Sequence, residues 1–432
     1  MKSYGFGWVS GLLAATVLSL TGRAGATQPL ESFLERAKTQ SFDAREASAT
    51  EQQRVSEADV AVSRLTPSFS ARGVYTRNQY EAAVQLPGTT KKLVITPLNQ
   101  LDAFLQLDVP IIDLASYHRY KAASALAASA TEQRSATTID VSRSVARAYY
   151  QFLGADALVQ SAGASIKAAQ ANLKNVDDRR SAGAATDLDH ERAAAAVARA
   201  EQDLADAELA AALAGRALET LSGLTPEPAQ PMAEDDLHSE GQLASWLTLA
   251  ASTPGQRVAQ RLGEAAEQNR KAASRALLPT LAGSAQERIT NATGFSGRNN
   301  AYTLQLVLSW RLDYGTLASA DAQSAALELQ RVRVERTRRN AEDAAFEAFR
   351  RVEAGVVKSR AAKAQADAAA RAAELSADRY SAGVATQLDV TQAQRDAFLA
   401  AAAKIQADAD LAFARASLRL ASGVPVSDKR PR

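Results

Sequence analysis

The chain has 432 residues, 46% hydrophobic and 23% charged with only 12 Pro and 22 Gly, a balance that excludes both a disordered polymer and an all-helical membrane protein. A formal net charge of +2 offers no basic surface for nucleic acid. The absence of cysteine removes disulfides, thiolate metal sites, a cysteine nucleophile and a lipid-modified N-terminus.

Residues 1–26 have the layout of an export signal: Lys2 supplies a positive start, Trp8 to Leu20 a short apolar core, and Ala24-Gly25-Ala26 a small-x-small cleavage site. Loss of this segment takes Lys2 and Arg23 but no acid, so the remaining chain carries a net charge of about zero. The apolar core is well short of the ~20 residues that a membrane-spanning helix needs, and no long apolar run follows it. Such a chain is soluble in the periplasm, secreted, or held in an outer membrane by β-strands.

The remainder repeats itself. Ser181-Ala182-Gly183-Ala184-Ala185-Thr186-Asp187-Leu188-Asp189 returns as Ser381-Ala382-Gly383-Val384-Ala385-Thr386-Gln387-Leu388-Asp389, displaced by 200 positions. The same displacement carries Leu221-Ser222-Gly223-Leu224 onto Ala421-Ser422-Gly423-Val424 and Asp113 onto Asp313. The expected division is a first repeat over 27–224, a linker over 225–241, a second repeat over 242–424 and a tail over 425–432. Upstream the copies drift, with Leu65-Thr66-Pro67 matching the region of Leu278-Pro279, so the first copy carries an insertion between Pro67 and Asp113 that is expected in a loop.

Each copy is expected to run helix, two strands, long helix, tight turn and returning helix. In the first, Leu101, Ala103, Leu105, Leu107 and Val109 alternate with Asp102, Phe104, Gln106 and Asp108, a strand with one apolar face. In the second, Tyr302, Leu304, Leu306, Leu308, Trp310 and Leu312 alternate with Thr303, Gln305, Val307, Ser309 and Arg311. The two apolar phases differ by one residue relative to Asp113 and Asp313, which points to a bulge or a one-residue deletion before Asp113. Partner strands are expected over 68–78 and 281–290, joined by polar loops over 79–100 and 291–300. That gives four strands per chain, too few to close a barrel, so several copies must share one. A soluble sheet would need an apolar covering surface that no other part of the chain offers, whereas lipid supplies it.

Between 115 and 178, and again between 316 and 378, there is no Pro and little Gly, so each stretch can form a helix of roughly 90 Å. Gly183 and Gly383 can take the left-handed conformation that ends a helix, and Thr186 and Thr386 can cap the next one, each with an acid three residues on at Asp189 and Asp389. Ala on several faces permits close helix neighbours while Arg, Asp, Glu and Gln keep other faces wet, a distribution suited to a tube wall. The three histidines, His118, His190 and His238, lie far apart without metal-ligand spacing, and no catalytic constellation is present. A protein that is not an enzyme and has no cofactor or metal is expected.

The duplicated Ala-Gly-x-x-Thr-x-Leu-Asp turn, Tyr380 before it, Gln392-Ala393-Gln394 after it, and Val109-Pro110-Ile111-Ile112-Asp113 together resemble the TolC family of outer-membrane factors over nearly all of the mature chain. The resemblance implies a mainly α fold with a membrane β-barrel: a homotrimer whose strands form one twelve-stranded barrel in outer-membrane lipid, continued by a periplasmic α-helical barrel. It implies the exit duct of a tripartite efflux or type I secretion system in a Gram-negative outer membrane, opened by a periplasmic adaptor and an inner-membrane transporter of RND, ABC or MFS type. The hairpin tips, with Gly183, Thr186, Leu188, Gly383, Thr386 and Leu388, would contact the adaptor. Asp389 matches an acid of the family's entrance ring, Tyr380 and Asp189 match links that hold the helices closed, and Gln392 takes the place of a second ring acid. Ala385 stands where a linking base occurs, so the gate is expected to be held differently. A periplasmic helical-hairpin adaptor is the alternative, though adaptors resemble a single hairpin flanked by Gly- and Val-rich β-domains. A soluble secreted coiled coil is a third possibility, separated by whether extraction needs detergent.

Overall fold

A computed structural model describes residues 28–85, 87–88, 92–227 and 234–426. The expected export signal lies outside these residues, as do 228–233 of the linker and 427–432 of the tail.

The first half contains α1 (Leu30–Gln40), α2 (Phe42–Ser63), β1 (Ser68–Arg77), β2 (Ala82–Gln85), β3 (Lys92–Thr96), β4 (Asn99–Ile112), α3 (Leu114–Ser181) and α4 (Asp187–Ser222). The second contains α5 (Leu243–Ala250), α6 (Pro254–Arg275), β5 (Thr280–Thr290), a 3₁₀ turn (Gly294–Ser296), β6 (Asn300–Ser309), α7 (Tyr314–Ser381) and α8 (Gln387–Ala421). Helices α3 and α7 are both 68 residues long, or about 100 Å. Each starts at an aspartate whose side chain accepts from the helix backbone: Asp113 from the Ser116 amide at 2.8 Å and Asp313 from the Thr316 amide at 2.7 Å. Among the described residues no helix is long and apolar enough to cross a membrane.

Four strands form one antiparallel sheet in the order β1-β4-β5-β6. Its register aligns one face as Phe69, Gly73 and Tyr75 beside Leu107, Ala103 and Leu101, then Ala285 and Ile289, then Tyr302, Leu304, Leu306 and Leu308. Large aliphatics on this face stay uncovered, with Leu304 72% and Leu306 69% exposed. The opposite face is polar. There Arg288 binds Asp102 through Nε at 2.9 Å and Nη2 at 2.8 Å, and Arg72 stacks on the Phe104 ring at 5.0 Å.

The difference in strand phase has a structural cause: Pro110 lies opposite Ala282 and Ile112 opposite Leu281, so Ile111 is an extra residue in the ladder. This bulge reverses which residues face outward just before Asp113, at a point where Pro110 could donate no ladder bond in any case. Two strand expectations need correction. The segment expected as a plain loop over 79–100 carries the β2–β3 hairpin, because Lys92–Thr96 is rich in residues that fit a pleated strand. Strand β6 also ends at Ser309, paired with Thr280. Pro279 precedes Thr280 and has no amide to continue the ladder, so Trp310 instead donates through Nε1 to the Leu277 carbonyl at 3.0 Å and Arg311 pairs with Asp313 at 2.8 Å.

The helices continue the order of the strands. Next to the sheet, α3 packs on α2 and α6, and α6 on α7; farther away α4 packs on α3, α3 on α8, and α8 on α7. Thus α3 and α7 run the full length, with α2 and α6 as neighbours above and α4 and α8 below. Midway along, two related apolar clusters hold the layers together. Phe33 and Leu34 of α1 pack with Val145 and Leu153 of α3 and Leu218 of α4. Trp246 of α5 packs with Phe349 and Val352 of α7 and Leu411 and Leu418 of α8. Elsewhere small residues set the spacing: a Cβ placed on Gly154 of α3 would lie 3.3 Å from Ala409 Cβ of α8.

Candidate functional site at the hairpin tips

Both hairpins close with the same local chemistry. Gly183 and Gly383 adopt φ of 72° and 78°, the left-handed conformation that a side chain would strain. The next amides reach back to the helix end, Ala184 to the Arg179 carbonyl at 2.7 Å and Val384 to that of Arg379 at 2.8 Å. Thr186 and Thr386 then cap α4 and α8 in reciprocal capping boxes. Asp189 Oδ2 accepts from the Thr186 hydroxyl at 2.7 Å and amide at 3.1 Å; Asp389 Oδ2 accepts from those of Thr386 at 2.7 and 2.8 Å.

These donors hold both carboxyl groups below the ordinary carboxylate value, the Thr386 amide acting most strongly on Asp389 and the Thr186 hydroxyl on Asp189. Their folded-state values are lowered, so the caps are at full strength above about pH 4 and weaken as pH falls through the folded-state values. Thr386→Ala is expected to cost about 1 kcal/mol of local helix stability. Hydrogen exchange over 387–392 at neutral pH should quicken roughly fivefold, and unchanged exchange would mean the capping box does not hold this turn.

The tips touch through a small buried cluster of Val176, Ala193, Tyr380 and Val390, with Ala185 and Ala385 packed against it. Tyr380, 6% exposed, lies under the Arg179 guanidinium, whose carbon is 4.6 Å from the ring centroid. Arg179 Nη1 also donates to the carbonyls of Tyr380 at 2.6 Å and Ser381 at 3.2 Å. A cation from the first hairpin therefore binds the C-terminal end of α7, where the helix dipole favours it. The family resemblance matches Tyr380 and Asp189 to linking residues and does not point to Arg179 as a partner. Within this chain Asp189 is engaged by its own cap, and Arg179 provides the tie to Tyr380. Leu188 and Leu388 are 57% and 50% exposed at the tips. Gln392 lines a groove between α4 and α8.

Residues 33–224 and 250–424 match the family described as outer membrane efflux protein. The chain belongs to this family. Solved outer-membrane protein structures share its fold: CusC, described as forming a transmembrane channel, at 17% identity with a TM-score of 0.80, covering 94% of this chain and 96% of that one; the CmeC outer membrane channel of Campylobacter jejuni at 15% and 0.78, covering 99% and 96%; and the outer membrane protein VceC of Vibrio cholerae at 19% and 0.76, covering 92% and 97%. No curated protein matches the sequence. The efflux-family membership makes the chain an outer-membrane channel with a large periplasmic portion and not an enzyme, in line with the resemblance to TolC-type channels.

In this efflux protein the histidines serve separate local contacts. His118 Nδ1 lies 2.9 Å from Gln268 Oε1, and His190 Nδ1 2.7 Å from Asp177. His238 belongs to an ionic cluster that sequence reading missed. Arg415 of α8, 7% exposed, binds Asp235 through Nε and Nη2 at 2.8 Å each, Glu240 through Nη1 at 2.6 Å, and the His238 carbonyl at 2.9 Å. The segment from Glu234 to Glu240 is thereby fixed onto the helices, helped by Lys363 and Lys404 on Glu234 at 2.7 and 3.1 Å. Asp235, Asp236 and His238 place ligand atoms within 4.8 Å of one another, but the Arg415 guanidinium already takes up Asp235 and His238 Nε2. Nothing in sequence spacing could signal a contact spanning 180 residues.

Proposed function

We propose that this channel is the passive exit duct of a tripartite efflux or type I secretion system, working as a homotrimer with one twelve-stranded barrel and a periplasmic helical tunnel. The observation that carries the reading is the four-stranded sheet, with an uncovered apolar face and free edges at β1 and β6. Lipid covers such a face, and only edge-to-edge pairing of copies satisfies such edges in hydrocarbon. The helices support the same closure. The outermost helices of the lower layer keep large apolar residues exposed, Leu209 on α4 and Val357 and Leu375 on α7, which a neighbouring copy would cover. Residues 27–224 and 242–424 are the two repeats of this plan, joined by a linker over 225–241 in which Asp235, His238 and Glu240 meet Arg415.

In this reading the tips carrying Gly183, Thr186, Leu188, Gly383, Thr386 and Leu388 meet a periplasmic adaptor coupled to an inner-membrane transporter. Asp389 and Gln392 line the entrance, and Arg179, Tyr380 and Asp189 lie where the hairpins must part. We expect a detergent-extracted trimer by mass measurement; a stable monomer with full helix content would reject the assembly. Tags inserted within 79–100 or 291–299 should be reachable on intact cells. Reachable tags at 183 or 383 instead would reverse the orientation.

A further inference from the structure

The groove beside Gln392 has a composition that helix packing does not require. It occupies about 520 Å³ between α4 and α8 near the tips, within the size range of small-molecule sites. Arg192 and Arg199 reach it from α4, seven residues and so roughly 10 Å apart along one face, and Arg395 faces them from α8. Among the described residues Arg199 and Arg395 are in no ion pair and Arg192 acts only at longer range on the Asp189 carboxylate, while the neighbouring Arg179 and Arg180 are engaged by backbone carbonyls and by Asp187. The groove contains one carboxylate, Asp203. Its apolar lining includes Leu388, Phe398 and Leu399, with Leu388 and Leu399 each half exposed.

Three guanidiniums lining one groove that holds a single carboxylate carry an excess of positive charge, which an anion relieves. Guanidinium groups bind carboxylate, sulfonate or phosphate oxygens through paired hydrogen bonds. The adjacent leucines and phenylalanine offer an aliphatic or aromatic body the contact it lacks in water.

We propose that the α4–α8 groove is a binding site for small organic anions that carry an apolar body. Resting on the reading of the tips as the duct's entrance, this makes amphiphilic anions a class of solute retained at the mouth of the channel. Binding itself is testable without any conduction. The purified full chain in a non-ionic detergent is dialysed to equilibrium against naphthalene-2-sulfonate, with 2-naphthylmethylammonium as the cation of the same body and protein-free micelles as the blank. The sulfonate is expected to bind at least about tenfold more tightly than the ammonium, and Arg192→Gln/Arg199→Gln/Arg395→Gln to weaken it at least about tenfold with helix content and oligomer mass unchanged. Should the triple variant misfold, Arg395→Gln alone, at an exposed position, should still weaken binding about threefold.

Equal binding of the two probes, no saturable sulfonate binding, or full binding by a folded Arg-to-Gln variant overturns the proposal. Binding of an acidic helical peptide in place of the sulfonate also overturns it and makes the groove a protein-docking surface. Failure of the duct reading is distinguishable, because it appears as absent conductance in planar bilayers while sulfonate binding in detergent persists.

Discussion

Leu306→Arg is expected to abolish assembly in the outer membrane, whereas Gln305→Arg beside it is expected to be tolerated. Leu306 is 69% exposed near the middle of β6, flanked on the same face by Leu304 and Leu308 and opposite Gly283. Among the described residues no protein surface covers it. An arginine facing lipid near the mid-depth of a barrel costs about 2–4 kcal/mol per chain, and a trimer would bear roughly three times that. Gln305 points to the polar face, opposite Ser284, where a longer cation can remain hydrated. Membrane fractionation with electrophoresis of unheated samples reads the folded oligomer directly. Normal assembly of Leu306→Arg would mean that this face does not meet lipid.

Arg179→Ala is expected to loosen the tips and leave the channel open for a much larger share of the time. The side chain makes two charge-assisted bonds to the end of α7 and stacks on Tyr380. Bonds from a charged group contribute about 1.5–3 kcal/mol, and an exposed cation–π contact about 0.5–1. With water replacing part of the loss, about 2–3 kcal/mol of closed-state preference should disappear, a roughly 30- to 150-fold shift in the open-to-closed ratio. Arg179→Lys keeps a donor for the carbonyls but loses the planar stack, so it should fall between. Single-channel open probability in planar bilayers measures both. Asp389→Asn makes a useful contrast: it preserves an acceptor for the Thr386 cap while removing charge, so it should alter ion selectivity more than open probability. Unchanged gating in Arg179→Ala, with the trimer intact, would confine Arg179 to a structural role within the hairpins.

What the sequence determined by itself was whatever is written in local periodicity and short-range chemistry. The strand alternation around Leu105 and Leu306, the uninterrupted runs that became α3 and α7, and the Gly-x-x-Thr-x-x-Asp turns all depend on residues within a few positions of one another. Even the bulge at Ile111 left a trace, as a one-residue change of phase before Asp113. Tertiary structure alone decided which charges meet. Arg179 finds the end of α7 across 201 residues, and Arg415 finds Asp235 across 180. A charged residue on a long, wet helix looks alike in sequence whether it faces solvent, a helix terminus or a buried carboxylate. The same holds for Arg192, Arg199 and Arg395: two lie on α4 and one on α8, and only the packing of both helices against α3 brings their charges to one groove.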